Sequence, residues 1–184
     1  MQHYNFNPFP EMRTERLLLR SLTMEDAPAL FYLKSNKEIL KYLDRAPQKN
    51  ITESEIFLKD LFEQQAANTA VLWAIALKEK PAEMIGNIGY WRLIKEHHRA
   101  EIGYSLNNSF WKMGIMDEAL KAVIAYGLKK MKLHSIEANI NPDNLSSQLL
   151  LERNEFLREG YFKENYYYDG AFTDSAIYSL LNKK

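Results

Sequence analysis

The apolar positions of this chain recur first with a helical period and then, from Val71, with a period near two. Arg16–Ser21 (RLLLRS) is a short apolar run between polar residues and predicts a first strand. Thr23 with Asp26 three residues on reads as a helix N-cap, opening a helix from about Met24 to Asn36 with Ala27, Leu30, Phe31 and Leu33 inward. A short helix follows over Lys37–Leu43, then a loop marked by Pro47 and Asn50. Thr52-x-x-Glu55 is a second capping box, opening a helix to about Ala67 with Ile56, Leu58, Leu61 and Phe62 inward.

Beyond that helix the pattern predicts strands at Val71–Leu77, Met84–Ile94 and Arg99–Leu106, the last two antiparallel across a polar KEHH turn. Gly86 and Gly89 are candidates for a bulge. Ile102, Tyr104 and Leu106 share one face of their strand, and Glu101 lies on the other. A helix is expected at Asp117–Lys132 with Leu120, Val123, Ile124, Gly127 and Leu128 on one face, then a strand at His134–Ile140 and a helix at Leu145–Asn154. Phe156–Tyr168 and Ala171–Leu181 close the chain as a hairpin around Asp169-Gly170. Residues 1–12 show aromatics and prolines without periodicity and read as a poorly fixed arm before a single domain at 13–184. The element order gives an α/β (α+β) fold, a mixed sheet with helices on its faces, and lacks the strict βαβ alternation of a dinucleotide fold.

Composition narrows the chemistry. Of 184 residues, 24 are Lys or Arg and 24 are Asp or Glu, so no global basic field marks a nucleic-acid binder. The chain has no cysteine, which excludes disulfides, thiolate nucleophiles and cysteine-held metals, and its four histidines lack ligand spacing, so no metal is expected. The apolar runs are too short to span a membrane, the N-terminus lacks a signal-peptide pattern, and a cytoplasmic protein is the expectation. One segment stands out. The strand ending at Leu106 leads through Trp111-Lys112-Met113-Gly114-Ile115-Met116 into an amphipathic helix. A loop holding a glycine at a helix N-terminus presents backbone N–H groups and a positive dipole end, which suits a phosphate or pyrophosphate.

These segments together resemble the GNAT superfamily of acyl-CoA-dependent N-acetyltransferases, within it the RimJ/RimL-like branch that acetylates ribosomal-protein serine and alanine termini. The resemblance runs from about Arg13 to Leu181. It rests on TERLLLR at Thr14–Arg20, IGNIGYW at Ile85–Trp91, RAEIGYSL at Arg99–Leu106, FWKMGIMDEAL at Phe110–Leu120, HSIEANINPDNLSSQLLLERNEF at His134–Phe156 and the C-terminal hairpin from Arg158. It implies a mostly antiparallel sheet splayed at the cofactor site. It also implies acetyl-CoA as co-substrate, direct transfer to an amine, and a pyrophosphate held by Trp111, Lys112, Met113, Gly114, Ile115 and Met116. Tyr104 and Leu106 would pair with the pantetheine arm, and Asn141 and Asn144 would also touch the cofactor, although both equally suit a turn and a helix cap. The sequence departs from the family where Lys112 and Glu155 replace frequent glycines, where Met116 takes a small-residue position and where Leu151 replaces a usual tyrosine.

Under that resemblance Glu101 is the candidate base and Ser147, in Asn144-Leu145-Ser146-Ser147, the candidate acid. Their alternatives are an exposed strand carboxylate paired with Arg99 and a first-turn helix serine bonding backbone. His97 and His98 are rival bases expected in a solvated loop. An α-amine has a pKa about 2.6 units below that of lysine, a difference of about 3.5 kcal/mol, so a carboxylate base suits a protein or peptide N-terminus better than a lysine. The alternatives are a small-molecule amine, polyamine or aminoglycoside-like, for which Glu53, Glu55, Asp60 and Glu63 would line an acidic cleft, or an acyl-CoA-binding module without turnover. The aromatics of the arm (Tyr4, Phe6, Phe9) and of the hairpin suggest a homodimer surface.

Overall fold

The computed structural model describes residues 4–182; residues 1–3 of the expected arm and 183–184 of the expected domain lie outside it. In chain order the elements are β1 (Met12–Arg13), β2 (Leu17–Ser21), α1 (Ala27–Ser35), α2 (Lys37–Leu40), α3 (Ile51–Ala66), β3 (Val71–Leu77), β4 (Gly86–Ile94), β5 (Arg99–Leu106), α4 (Ile115–Lys129), β6 (Ser135–Ile140), α5 (Leu145–Arg153), β7 (Leu157–Tyr168) and β8 (Ala171–Leu181). The strands form one eight-stranded sheet in the order β1-β2-β3-β4-β5-β6-β8-β7. Every neighbouring pair is antiparallel except β5–β6, which is parallel.

The period of two explains why both sheet faces are covered. On β3, Val71, Trp73 and Ile75 enter the cluster that holds Ile115, Ala119, Leu120 and Val123 of α4 and Leu151 of α5. Ala74 turns the other way, into a smaller cluster with Leu30 and Leu33 of α1 and Leu58 and Leu61 of α3. Tyr90 reaches through the larger core, its hydroxyl donating to the Val123 carbonyl at 2.9 Å. A Cβ on Gly127 would sit 2.1 Å from that hydroxyl, so the glycine opens the helix surface for the ring's tip.

Several local expectations change. The described part of the arm is fixed: Tyr4 and Phe6 are buried, the Phe9 ring lies 5.9 Å from that of Trp73, and the Trp73 indole N–H donates to the Pro10 carbonyl at 2.7 Å. Those aromatics complete the core of their own chain, so Tyr4 and Phe6 offer no surface to a second copy. The cap of α3 is Asn50, whose side chain accepts from the Glu53 N–H at 3.2 Å, and not Thr52. Starting the helix there turns Ser54, Leu58 and Leu61 inward and leaves Ile56 53% exposed. Helix α2 ends at Leu40, short of Leu43. Helix α4 begins at Ile115, directly on the loop, and ends at Lys129.

The bulge is at Trp91, between Tyr90 and Arg92, and not at Gly86 or Gly89. Gly89 serves a close approach instead, because a Cβ there would meet the Val71 carbonyl oxygen at 2.2 Å. The hairpin of β7 and β8 turns at Asp169 and Gly170, both with positive φ (48° and 83°), as a two-residue turn of this kind requires.

Gly127→Ala is expected to destabilise the chain by about 1–3 kcal/mol through overpacking against Tyr90. That sign is opposite to the gain of about 1 kcal/mol that alanine gives an open helix position. A urea midpoint that rises instead would show that the ring can withdraw.

Candidate active site

The sheet splits between β5 and β6. The two strands pair over only three residues, Arg99–Glu101 with Ser135–Glu137. Beyond them β5 stays paired to β4 as far as Leu106, and β6 stays paired to β8 as far as Ile140. From Ile102 to Leu106, the β5 backbone groups on the β6 side therefore face a gap. An extended amide-containing chain can bond such an edge as an added strand.

At the end of β5 stands the loop that sequence reading singled out. Gly114 caps α4 in the left-handed region (φ 72°). The first amides of a helix have no intrahelical acceptor, so those of α4 point into the loop with the positive end of the dipole. The loop is held from several sides. The Trp111 indole N–H donates to the Leu106 carbonyl at 2.9 Å. Asn108 accepts from the Tyr32 hydroxyl at 2.8 Å and donates to Glu38 at 2.6 Å, which ties the approach to the loop to α1 and α2. Arg16, ahead of β2, donates to the Met113 carbonyl at 2.9 Å and to the Glu118 carboxylate at 2.7 Å. Burial works against the charge on Glu118, but hydrogen bonds from the Thr14 hydroxyl and from the Arg16 backbone and guanidinium hold its pKa below the usual glutamate value. Arg16 and Glu118 are 102 residues apart, and no local pattern signals their pairing.

Lys112 has φ 60° and Glu155 φ 65°. Both replace glycines frequent in the resembling family, and both occupy the backbone region that favours glycine. Glu155 follows α5: its N–H donates to the Glu152 carbonyl, and the Phe156 N–H donates to that of Leu151 at 3.1 Å. This is a Schellman ending, with buried Phe156 against buried Leu151.

Across the gap, Asn144 caps α5, accepting from the Ser147 N–H at 3.1 Å, and Asn141 accepts from the Asp143 N–H at 2.9 Å. Each side-chain oxygen thus has the turn or cap role that the sequence allowed. Ser147 is buried, and its hydroxyl lies beside the phenol of Tyr104.

Glu101 lies on the opposite sheet face, at the last β5–β6 rung, directly beside Glu137. It is only 8% exposed. Its ion-pair partner is Arg92, Nε to Oε2 3.4 Å, whereas Arg99 pairs with Glu137 at 3.6 Å; the expected partnership with Arg99 is not the one formed. The Trp91 bulge explains Arg92. Two residues on β4 stand against one on β5, so Arg92 faces Glu101 where an unbroken strand would have turned it into the core. The bulge also sets Trp91 over β5, where a Cβ on Gly103 would meet its ring at 3.3 Å. Burial raises the Glu101 pKa above its ordinary value; Arg92 opposes the shift, Glu137 adds to it and Arg99 opposes it. Arg92 and Trp91 escaped sequence reading because a bulge has no fixed residue signature, and Glu137 because its place beside Glu101 is set by the β5–β6 register.

The GNAT acetyltransferase domain matches residues 16–157. The chain belongs to the GNAT family. It is an acyl-CoA-dependent N-acetyltransferase, and its relatives are consistent with the RimJ/RimL-like branch. The chain is 31% identical to the uncharacterised N-acetyltransferase YoaA of Bacillus subtilis over 96% of its own length and 99% of that protein's. It is 34% identical to the ribosomal protein uS5-alanine N-acetyltransferase of Escherichia coli over 53% of this chain and 51% of that one. The structure of RimL, a ribosomal L7/L12 α-N-protein acetyltransferase in complex with coenzyme A, superposes with a TM-score of 0.84 at 25% identity, covering 94% of this chain and 98% of that chain. Among the described residues no group of His, Cys, Asp or Glu could hold a metal, and no helix is long and apolar enough to cross a membrane.

Lys112 and Glu155 are exposed, so replacing either with glycine removes left-handed strain without loss of packing. Lys112→Gly and Glu155→Gly are each expected to stabilise the unliganded chain by about 0.5–1 kcal/mol, the balance of the left-handed penalty against glycine's extra unfolded-state entropy. Denaturant midpoints check this.

Proposed function

We propose that this acetyltransferase acts on the α-amine of a protein or peptide N-terminus, with Glu101 as general base and Ser147 as a hydrogen-bond donor to the departing sulfur. The observation that carries this reading is the environment of Glu101: a buried carboxylate of raised pKa, at the apex of the strand split, on the face away from α4 and α5. The pantetheine arm would lie along Tyr104–Leu106. The pyrophosphate would take the backbone of Trp111–Met116 with the Lys112 ammonium alongside, and Asn141 and Asn144 would flank the arm from α5. The acceptor would come from the Glu101 face, beside Trp91.

The amine nitrogen attacks the thioester carbonyl, forming C–N and breaking C–S. Its proton passes to Glu101, directly or through water, and the sulfur leaves with the bonding electron pair. About a tenth to a third of an α-amine is already neutral near pH 7–7.5, against about 0.1% or less of a lysine. A carboxylate of raised pKa can therefore complete the task for the first and is poorly matched to the second.

Charge also favours this acceptor over a polyamine. Around Glu101 stand Arg92, Arg99 and Glu137, two cations against two carboxylates, which is no acidic cleft. Asp60 and Glu63 lie on the exposed side of α3, and Glu53 accepts from the Lys49 N–H. The names of relatives that act on ribosomal proteins point the same way.

Thiol release from acetyl-CoA, followed with Ser-, Ala- and Met-starting peptides, spermidine and an aminoglycoside, tests the assignment; release driven only by the polyamine or the aminoglycoside would overturn it. Glu101→Gln should lower kcat by about 10²-fold while leaving acetyl-CoA affinity intact. In the wild type, the acid side of kcat/KM should carry one component from protonation of the peptide α-amine and one from Glu101, the latter at a pH above the ordinary glutamate value, and Glu101→Gln should lose only the latter. Stability has a definite sign too. The folded pKa is raised, so the unfolded chain ionises first; stability drops as pH rises from the unfolded to the folded value, and the deficit persists at neutral pH. Glu101→Gln should thus melt no lower than the wild type at pH 7, whereas a purely structural ion pair with Arg92 would make it melt lower.

A further inference from the structure

Tyr104 points from β5 into the face that carries α4 and α5, and its hydroxyl is buried without a hydrogen-bond partner. Burial pushes its pKa up to about 12, and the neighbouring Ser147 hydroxyl opposes that shift without forming a hydrogen bond of full geometry. A buried donor left unpaired weakens the unliganded fold, so it calls for an explanation. Its position supplies one. Tyr104 belongs to the part of β5 that faces the gap beyond the last β6 rung, and Ser147 belongs to the first turns of α5 on the other side. Leu151 is spent on packing, fully buried against the core, and offers no polar group here.

We propose that Tyr104 and Ser147 form a two-hydroxyl relay, in which the Tyr104 hydroxyl donates to the Ser147 oxygen and so directs the Ser147 proton at the departing thiolate. The inference rests on the acyl-CoA site described above. Tyr104 is a positioning residue: it acts through Ser147. No proton leaves it, because a phenol that titrates near 12 stays protonated at working pH. The sulfur keeps the electron pair of the broken C–S bond, the amine proton goes to Glu101, and the thiolate is held by hydrogen bonds until solvent protonates it. The donor is unpaired in the free chain and finds its chain of acceptors when sulfur is bound.

The direct test needs no acceptor amine. The thiol of bound coenzyme A is titrated by the ultraviolet absorbance of its thiolate, in wild type, Tyr104→Phe and Ser147→Ala. A thiolate that accepts a hydrogen bond from the relay should ionise about one unit below free coenzyme A in the wild type. Tyr104→Phe should lose at least half of that shift, and Ser147→Ala and the double variant should lose it equally. The thermal midpoint of unliganded Tyr104→Phe should stay level or rise, since the lost hydroxyl had no partner. With an active acceptor, Tyr104→Phe should lower kcat about tenfold at a KM for acetyl-CoA within twofold of wild type, and adding it to Ser147→Ala should cost at most a further twofold. A bound thiol that titrates identically in wild type and Tyr104→Phe would overturn the relay, as would multiplicative losses in the double variant. If no amine drives thiol release, the acceptor assignment fails, but the thiol titration still decides on Tyr104.

Discussion

The parallel contact between β5 and β6 is the constraint on which the site depends. It lasts only from Arg99–Ser135 to Glu101–Glu137. A longer ladder would consume the β5 edge that an extended ligand needs; a shorter one would detach the C-terminal strands from the rest of the sheet. Its last rung sets two carboxylates side by side, an unfavourable pairing for like charges. Arg92 and Arg99 offset it at distances of 3.4 and 3.6 Å. Burial is the main reason that Glu101 has a raised proton affinity, and the neighbouring Glu137 adds to it, so the rung that ends the ladder also holds the carboxylate proposed as base.

The two faces of the split are held by different contacts. On the α4 and α5 side the loop from Trp111 to Met116 is clamped before any ligand arrives, by Arg16 through Met113 and Glu118 and by Trp111 through Leu106. Asp117, next along α4, accepts from Asn154 at the end of α5 at 2.8 Å, which links the helices on either side of the gap. Burial disfavours its charge, yet hydrogen bonds from Lys121 and Asn154 and the charges of Lys121 and Arg153 keep its pKa lowered. Both first-turn acids of α4 are thereby committed to structural contacts.

How much of this was legible in the sequence depends on the range of each interaction. β3, β5 and the C-terminal hairpin follow from alternation and from Asp169-Gly170, which are local signals. The loop was legible because Gly114 precedes an amphipathic helix, and Glu101 and Tyr104 were correctly assigned to opposite faces by parity alone. The errors share a different cause. Asn50 and Thr52 are both good caps, and only tertiary packing of Leu58 and Leu61 decides between them. The arm lacks periodicity because Tyr4, Phe6 and Phe9 fill a shape set by Trp73, which is distant in sequence. The Trp91 bulge and the Arg16–Glu118 clamp leave no local trace. Lys112 and Glu155 are the instructive middle case: a missing glycine says nothing about φ, and here the left-handed backbone persists without it.

That persistence bears on how the loop holds a ligand. A loop that relied on glycine's freedom at each turn would have changed shape when Lys112 took the place of a frequent glycine. Here the turn is imposed from outside, by Arg16 on the Met113 carbonyl and by the Trp111 indole on that of Leu106, and a residue with a side chain is carried into φ 60°. The strain is of order 1–2 kcal/mol for a left-handed non-glycine residue, within reach of two or three well-formed hydrogen bonds. In exchange the loop carries an exposed basic side chain at that position. Under the proposed assignment the amides would face the pyrophosphate and the lysine would add a charge that a glycine cannot; the shape of the loop is then kept by contacts from outside it in place of glycine's freedom.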